Sequence, residues 1–481
     1  MKRIVVVGGG ITGLAAAYRL SRLTRGNYEI VLLEASDRLG GKILTEHMDG
    51  CVFELGPDSF LTAKPQALEL IYELGLESKL LGTDPDHSDV FVYVRGRLRR
   101  IPDGLMLMAP SKLFPFFCSD LFTWQGKLRL TFDWFLPANA MPGGHSTRPH
   151  TGSILGPGGI EDESMGNFAR RRFGKEALET LVQPVMAGIY AGDADQLSLK
   201  STFPQFLELE QRYGSVIRGL RRSAVPKASE KGKITMFMTL SGGLGELTKS
   251  LAKSLGSVIR LSAPVRSILP GSSGYRLNLR SGEELPCDAV IMATQSWQSA
   301  EMVSEMNHPL AKALQDIPFA SSATLSLAYD SASLPELPSG FGFVVAHGEA
   351  QWVSAVTFSS AKFPGRTTSK TFLIRCFLGG AGKESMMEQS DANIVDGVLS
   401  DLRHILKIQI PPKAARLHRW MRANPQYTVG HEAKLQRIQA CLESNPGLWL
   451  AGASYRGVGI PDCVASGFLA AEQAHAFLSG C

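Results

Sequence analysis

Residues 3–23, RIVVVGGGITGLAAAYRLSRL, followed by residues 28–42, YEIVLLEASDRLGGK, decide the fold. RIVVV is an unbroken apolar run of strand length, TGLAAAYRLSRL repeats its apolar positions with helical spacing, and YEIVLLEA is a second apolar run. Together they predict a β-α-β unit opening a doubly wound sheet. Between the first strand and the helix lie Gly8, Gly10 and Gly13 in the pattern GxGxxG. Gly8 permits the tight turn, Gly10 lets backbone approach a pyrophosphate, and Gly13 lets helix and strand pack closely, with the helix N-terminus facing the anion. Glu34 ends the second run 21 residues after Gly13, where a carboxylate accepts hydrogen bonds from ribose hydroxyls. The pattern reads as a dinucleotide site. A nicotinamide enzyme needs nothing special after that acid, whereas Arg38, Gly40, Gly41 and Lys42 add positive charge and bare N–H groups on the return toward the phosphates.

Working outward, CDAVIMAT (287–294) and LWLAGAS (448–454) are further buried-strand signals far from the first unit, so the nucleotide domain is expected to be discontinuous. At 481 residues and 44% hydrophobic composition the chain exceeds the size of one core. Its net charge of +5 suits small anions or an acidic membrane surface, and with no basic block or basic-aromatic repeat no nucleic-acid partner is expected. Seven scattered cysteines without a CxxC predict neither a disulfide framework nor a zinc knuckle, and a reducing compartment fits them best. No HExxH or other metal-ligand set stands out, and no acid-base pair announces a catalytic residue. The N-terminus has no signal-peptide core, and the longest apolar runs fall short of the roughly 18–20 residues of a spanning helix.

Residues 104–136, GLMLMAPSKLFPFFCSDLFTWQGKLRLTFDWFL, read equally as a surface that lies on lipid or as a helical subdomain whose Phe, Leu and Met side chains form a core. Residues 139–160 are rich in Gly, Pro and Ser and read as a mobile loop, with His145 and His150 solvated.

GGGITGLAAAYRL with EASDRLGGK resembles the FAD-binding signature of the amine oxidase and phytoene desaturase superfamily. ELGPDSF (54–60), MAGIYAGDADQLSLKSTFPQF (186–206) and LAGASYRGVGIPDCVASGF (450–468) narrow this: the chain resembles, along nearly its whole length, the bacterial oxygen-dependent porphyrinogen oxidases. The departure is the loop 139–160, which is longer here. The resemblance implies an α/β fold with a Rossmann-like FAD-binding domain (1–90, 236–298 and 445–481), an α+β substrate-binding domain (91–105, 205–235 and 299–444) and a helical, membrane-associating subdomain (106–204).

Carried over by position, it implies that Gly8, Gly9, Gly10, Ile11, Thr12 and Gly13 hold the pyrophosphate, and Glu34 with Ala35 the adenosine ribose. Arg38, Gly41 and Lys42 follow along the cofactor, with Lys42 and the Gly56, Pro57, Asp58, Ser59 turn toward the ribityl and flavin. Val265 would meet adenine, while Trp420, Gly452, Gly459, Ile460 and Pro461 would border the isoalloxazine; Trp420 also reads as plain packing. GVGIP opens an Ala-rich helix whose N-terminus faces the side where a reduced flavin gathers negative charge. The implied reaction is oxygen-dependent six-electron oxidation of protoporphyrinogen or coproporphyrinogen, in the cytoplasm or peripherally on the inner membrane face. Lys64 is the candidate cation for a substrate propionate, with a solvated lysine at a helix start as the other reading. Ile189 and Phe343 are candidate walls. Two rivals are another FAD-dependent amine or polyene oxidase and a flavin-binding tetrapyrrole carrier without turnover.

Overall fold

The computed structural model describes residues 1–24, 26–138, 154–155, 161–223, 234–368 and 370–480. The expected loop at 139–160, with His145 and His150, lies outside the described residues apart from 154–155. Among the described residues no helix is long and apolar enough to cross a membrane.

The predicted first unit forms as the strand Arg3–Val7, the helix Ile11–Thr24 and the strand Glu29–Leu33. It belongs to a five-stranded parallel sheet ordered Ile259–Arg260, Glu29–Leu33, Arg3–Val7, Ala289–Met292, Leu448–Leu450. The two apolar runs recognised far downstream are thus the strands that complete it. The central strand is buried on both faces: Ile4 and Val6 pack into one apolar cluster, Val5 and Val7 into another. The first cluster holds the helices Ile11–Thr24, Gly245–Leu255 and Ile460–Ser479. The second holds an antiparallel meander, residues 265–287, and the helices Ser296–Val303 and His308–Gln315.

A seven-stranded sheet forms the second layer system, ordered Ala414–Pro425, Phe319–Asp330, Thr371–Gly379, Val353–Phe358, Gly342–Val345, Val90–Val94, Arg97–Arg100. Its register aligns Ser322 with Gly379 and Trp420, and Thr324 with Phe377, so these side chains share one face. The opposite face, carrying Phe343, Ile374 and Cys376, is sealed by the helix Asp391–Leu406.

The third region is helical. Phe116, Phe122 and Leu130 from 104–136 are buried with Phe168, Phe173 and Met186, which answers the core reading of that segment, while Phe114, Trp124, Leu128, Phe132 and Phe135 on the same segment are exposed. The helices Pro204–Tyr213 and Val216–Arg222, expected to go with the substrate-binding region, bury Phe206, Val216, Ile217 and Leu220 in this helical core instead. At its centre the guanidinium of fully buried Arg172 donates to the Asp133 carboxylate at 2.5 Å.

Candidate functional site

A cavity of about 1340 Å³ opens at the carboxyl ends of the parallel strands and runs under the shared face of the seven-stranded sheet. A crevice at strand carboxyl ends is where doubly wound sheets bind ligands. Val7, Leu33, Ala293 and Gly452, each at or just past such an end, line it.

The nucleotide end is built by the glycine turn. Gly8 has φ +109°, open to glycine at little cost, and Gly13 lies so close behind it that a Cβ there would sit 1.9 Å from the Gly8 carbonyl. At Gly10, by contrast, a Cβ would meet nothing among the described residues nearer than the Gly41 Cα at 3.9 Å, which leaves this backbone open to the cavity. Glu34 is held before any ligand arrives. Its carboxylate accepts from the Gly9 N–H at 2.6 Å and from the Ser36 N–H and hydroxyl, both at 2.8 Å. The second glycine pair docks on the first turn through the Gly40 N–H to the Gly9 carbonyl at 2.9 Å. Ala263, Pro264 and Val265 close this end.

Two helix N-termini aim at the cavity, those of Ile11–Thr24 and Ile460–Ser479. The helices cross tightly because Gly467 places backbone where a Cβ would lie 2.4 Å from the Thr12 carbonyl. Lys42 lines the cavity, and burial lowers its ammonium from the ordinary lysine value. Gly56 packs against the Lys42 carbonyl, and its own carbonyl accepts from Arg375.

Farther in, the walls are the sheet face (Ser322, Thr324, Phe377, Trp420) and the end of the helix Gln183–Tyr190. The Trp420 indole donates to the Leu55 carbonyl at 2.8 Å and its ring contacts His418 with centroids 4.2 Å apart, so the ring plane is fixed. Asp58 sits between two cations. The Lys362 ammonium reaches its carboxylate at 3.0 Å and the Arg375 guanidinium at 3.9 Å. Burial alone would raise the Asp58 carboxyl; these two cations hold it well below the usual carboxylate range.

This architecture can be set beside known proteins. The sequence model of the flavin containing amine oxidoreductases matches residues 11–475. The chain belongs to that family. As a family member it is 36% identical to the coproporphyrinogen III oxidase of Bacillus subtilis, over 99% of this chain and 98% of the other. It is 32% identical to the protoporphyrinogen oxidase of Homo sapiens, with 98% of each chain covered. The crystal structure of a provisionally named protoporphyrinogen oxidase from Exiguobacterium superposes with a TM-score of 0.84 at 33% identity, covering 98% of both chains.

For a flavin-containing oxidoreductase the nucleotide end has the right fittings. The uncovered turn at Gly10, the prefixed Glu34 carboxylate and two converging helix N-termini suit a pyrophosphate and a ribose, so the flavin is FAD. Of the expected residues, Gly8, Gly10, Ile11, Thr12, Glu34, Ala35, Gly41, Lys42, the 56–59 turn, Ile189, Val265, Trp420, Gly452, Gly459 and Ile460 all line the cavity.

Six do not line the cavity from where they stand. Gly9 and Gly13 lie behind the turn, Arg38 turns back to the Gly41 carbonyl at 2.9 Å, and Pro461 is buried in the first helical turn. Phe343 is 2% exposed and packs on Phe358 in the core of the sheet's other face. Lys64 stands apart from the cavity walls too: its side chain is 50% exposed and its ammonium pairs with Asp462 at 2.5 Å. Sequence reading missed Lys362, at the end of the short helix Ser359–Lys362, and Arg375, Ser322 and Phe377, whose only local signal is strand alternation.

Proposed function

We propose that the chain oxidises a porphyrinogen to the porphyrin within heme biosynthesis, removing six hydrogens in three rounds, with three molecules of oxygen leaving as three of hydrogen peroxide. The observation that carries this is the continuity of the cavity. Single-ligand pockets run to roughly 300–1,000 Å³, and this one, at about 1340 Å³, extends past a complete dinucleotide cradle into a second, aromatic-walled chamber. Its relatives over nearly full length are named for coproporphyrinogen III and for protoporphyrinogen.

Bound in the cradle, FAD supplies the two-electron acceptance and the return of electrons to oxygen. The chain's own work is binding and orientation. Glu34 holds the ribose hydroxyls, the Gly8–Thr12 turn faces the pyrophosphate, and Gly459 with Ile460 places partial positive charge where electron density accumulates. Trp420, Phe377, Ile189 and Tyr190 form walls that hold a flat macrocycle and exclude water. Burial raises the Tyr190 phenol well above its ordinary value, so it stays neutral beside the substrate.

The test is anaerobic addition of coproporphyrinogen III to the yellow holoprotein. Bleaching of the flavin band, then recovery with peroxide and porphyrin fluorescence on admitting air, is the expected result. A flavin that stays oxidised would fit a carrier without turnover, and bleaching by polyamines alone would fit an amine oxidase. The exposed Phe114, Trp124, Leu128, Phe132 and Phe135 fit contact with the surface of a membrane. Sedimentation with anionic vesicles that persists in high salt tests that placement, and loss of binding in salt argues against apolar insertion.

A further inference from the structure

The cluster around Asp58 is unbalanced. Lys362 and Arg375 face one carboxylate, and behind them Arg366 faces Glu54 at 3.5 Å, so three cations meet two carboxylates. All five side chains are largely buried, and Arg375, 4% exposed, leaves its Nε without a partner among the described residues. Burial pushes the Glu54 carboxyl up despite the opposing Arg366. An uncompensated charge in such a place is costly, and a charge-assisted pair with an arriving anion relieves it. The wall that carries the excess is the second chamber, since Lys362 and Arg375 line the cavity beside Phe237, Ser354 and Phe377.

Resting on the porphyrinogen reading, we infer that Asp58, Lys362 and Arg375 form a seat for one substrate propionate and make the chain prefer coproporphyrinogen to protoporphyrinogen. Coproporphyrinogen carries four propionates around its rim and protoporphyrinogen two. A macrocycle edge bearing propionate pairs with the excess cation, whereas an edge bearing vinyl groups buries that cation against hydrocarbon. Discrimination against the ligand that leaves a buried polar group unpaired is the strong kind. The seat recruits one cation from the helix Ser359–Lys362 and the other from the adjoining strand Thr371–Gly379, both fixed by Asp58 before substrate arrives.

The experiment compares Lys362→Met with the wild type as flavin-loaded proteins, measuring kcat and KM for both porphyrinogens, and the flavin reduction potential. A hydrogen bond to a charged group is worth roughly tenfold to hundredfold in binding. KM for coproporphyrinogen is therefore expected to rise about tenfold or more, with that for protoporphyrinogen and the potential little changed, and Lys362→Arg is expected to restore most of the loss. Lys362→Gln replaces the methionine variant if that does not accumulate. Equal losses on both substrates, a shifted potential, or an unchanged KM would each overturn the seat. If the wild type itself oxidises neither porphyrinogen, the failure lies with the broader reading; an active wild type with an indifferent variant sinks the propionate seat alone.

Discussion

At the scale of single residues, the cavity depends on places where backbone meets backbone with no room for a side chain. Gly56 is the sharpest: a Cβ would lie 1.7 Å from the Lys42 carbonyl, while the Gly56 carbonyl accepts from buried Arg375. Gly56→Ala must move the Lys42 backbone and the charge cluster together. The expected cost is about 1–3 kcal/mol of stability, as for other overpacked sites, together with weakened flavin retention, read by thermal unfolding and by flavin content after gel filtration. A variant that keeps full flavin and an unchanged Tm would mean that the turn yields easily. Gly8, Gly10, Gly13 and Glu34 were legible because their pattern is local, a turn between a strand and a helix with an acid at the next strand's end. Lys362 and Arg375 were not. They meet Asp58 across 304 and 317 positions of chain, and nothing near them in sequence distinguishes a buried cation from a surface one.

At the scale of elements, alternation along strands explains both a failure and what was overlooked. Phe343 has the right composition for a wall, yet it sits one residue out of step: Gly342–Val345 turns it into the sheet core, whereas Thr371–Gly379 turns Arg375 and Phe377 toward the cavity. A sequence gives the alternation but not which face is open. The junction of Ala414–Pro425 with the helix His431–Glu443 shows a second property of packed elements. His431 at the helix start is buried, stacks on Tyr427 with centroids 4.1 Å apart and donates to the Tyr455 carbonyl at 2.8 Å. Burial lowers its pKa to about 4. Above pH ~6.5, the ordinary value, both folded and unfolded states hold it neutral and it contributes no pH dependence. As pH falls below that, the unfolded chain takes up the proton and the folded chain does not, so stability drops until pH reaches about 4. The loss amounts to roughly 3 kcal/mol at most, at about 1.4 kcal/mol per pH unit. Urea midpoints at pH 7 and pH 5 should therefore diverge for the wild type and converge for His431→Phe. Parallel behaviour of the two proteins would place the acid sensitivity elsewhere.

At the scale of the whole molecule, the cavity is walled by three bodies. The parallel sheet supplies the glycine turn, the antiparallel sheet supplies Trp420 and Phe377, and the helical region supplies Ile189 and Tyr190. A ligand filling the cradle adds contacts across these bodies in the folded state only, so its binding free energy appears as global stability. For a ligand at a hundred times its dissociation constant that amounts to about 2.7 kcal/mol. Which flavin achieves it follows from where the fixed polar groups stand. Glu34 and the adjoining Ala263–Val265 wall line the nucleotide end of the cavity, the place for the adenosine half that FMN and riboflavin lack. Stripping the flavin should lower Tm by several degrees and make the loops 34–42 and 263–266 susceptible to proteolysis. FAD should restore both properties at micromolar concentrations, whereas riboflavin and FMN, lacking adenosine, should restore neither at the same concentrations. Full recovery with FMN would show that the glycine turn and Glu34 contribute nothing to cofactor affinity, and would detach the dinucleotide cradle from the chemistry of the second chamber.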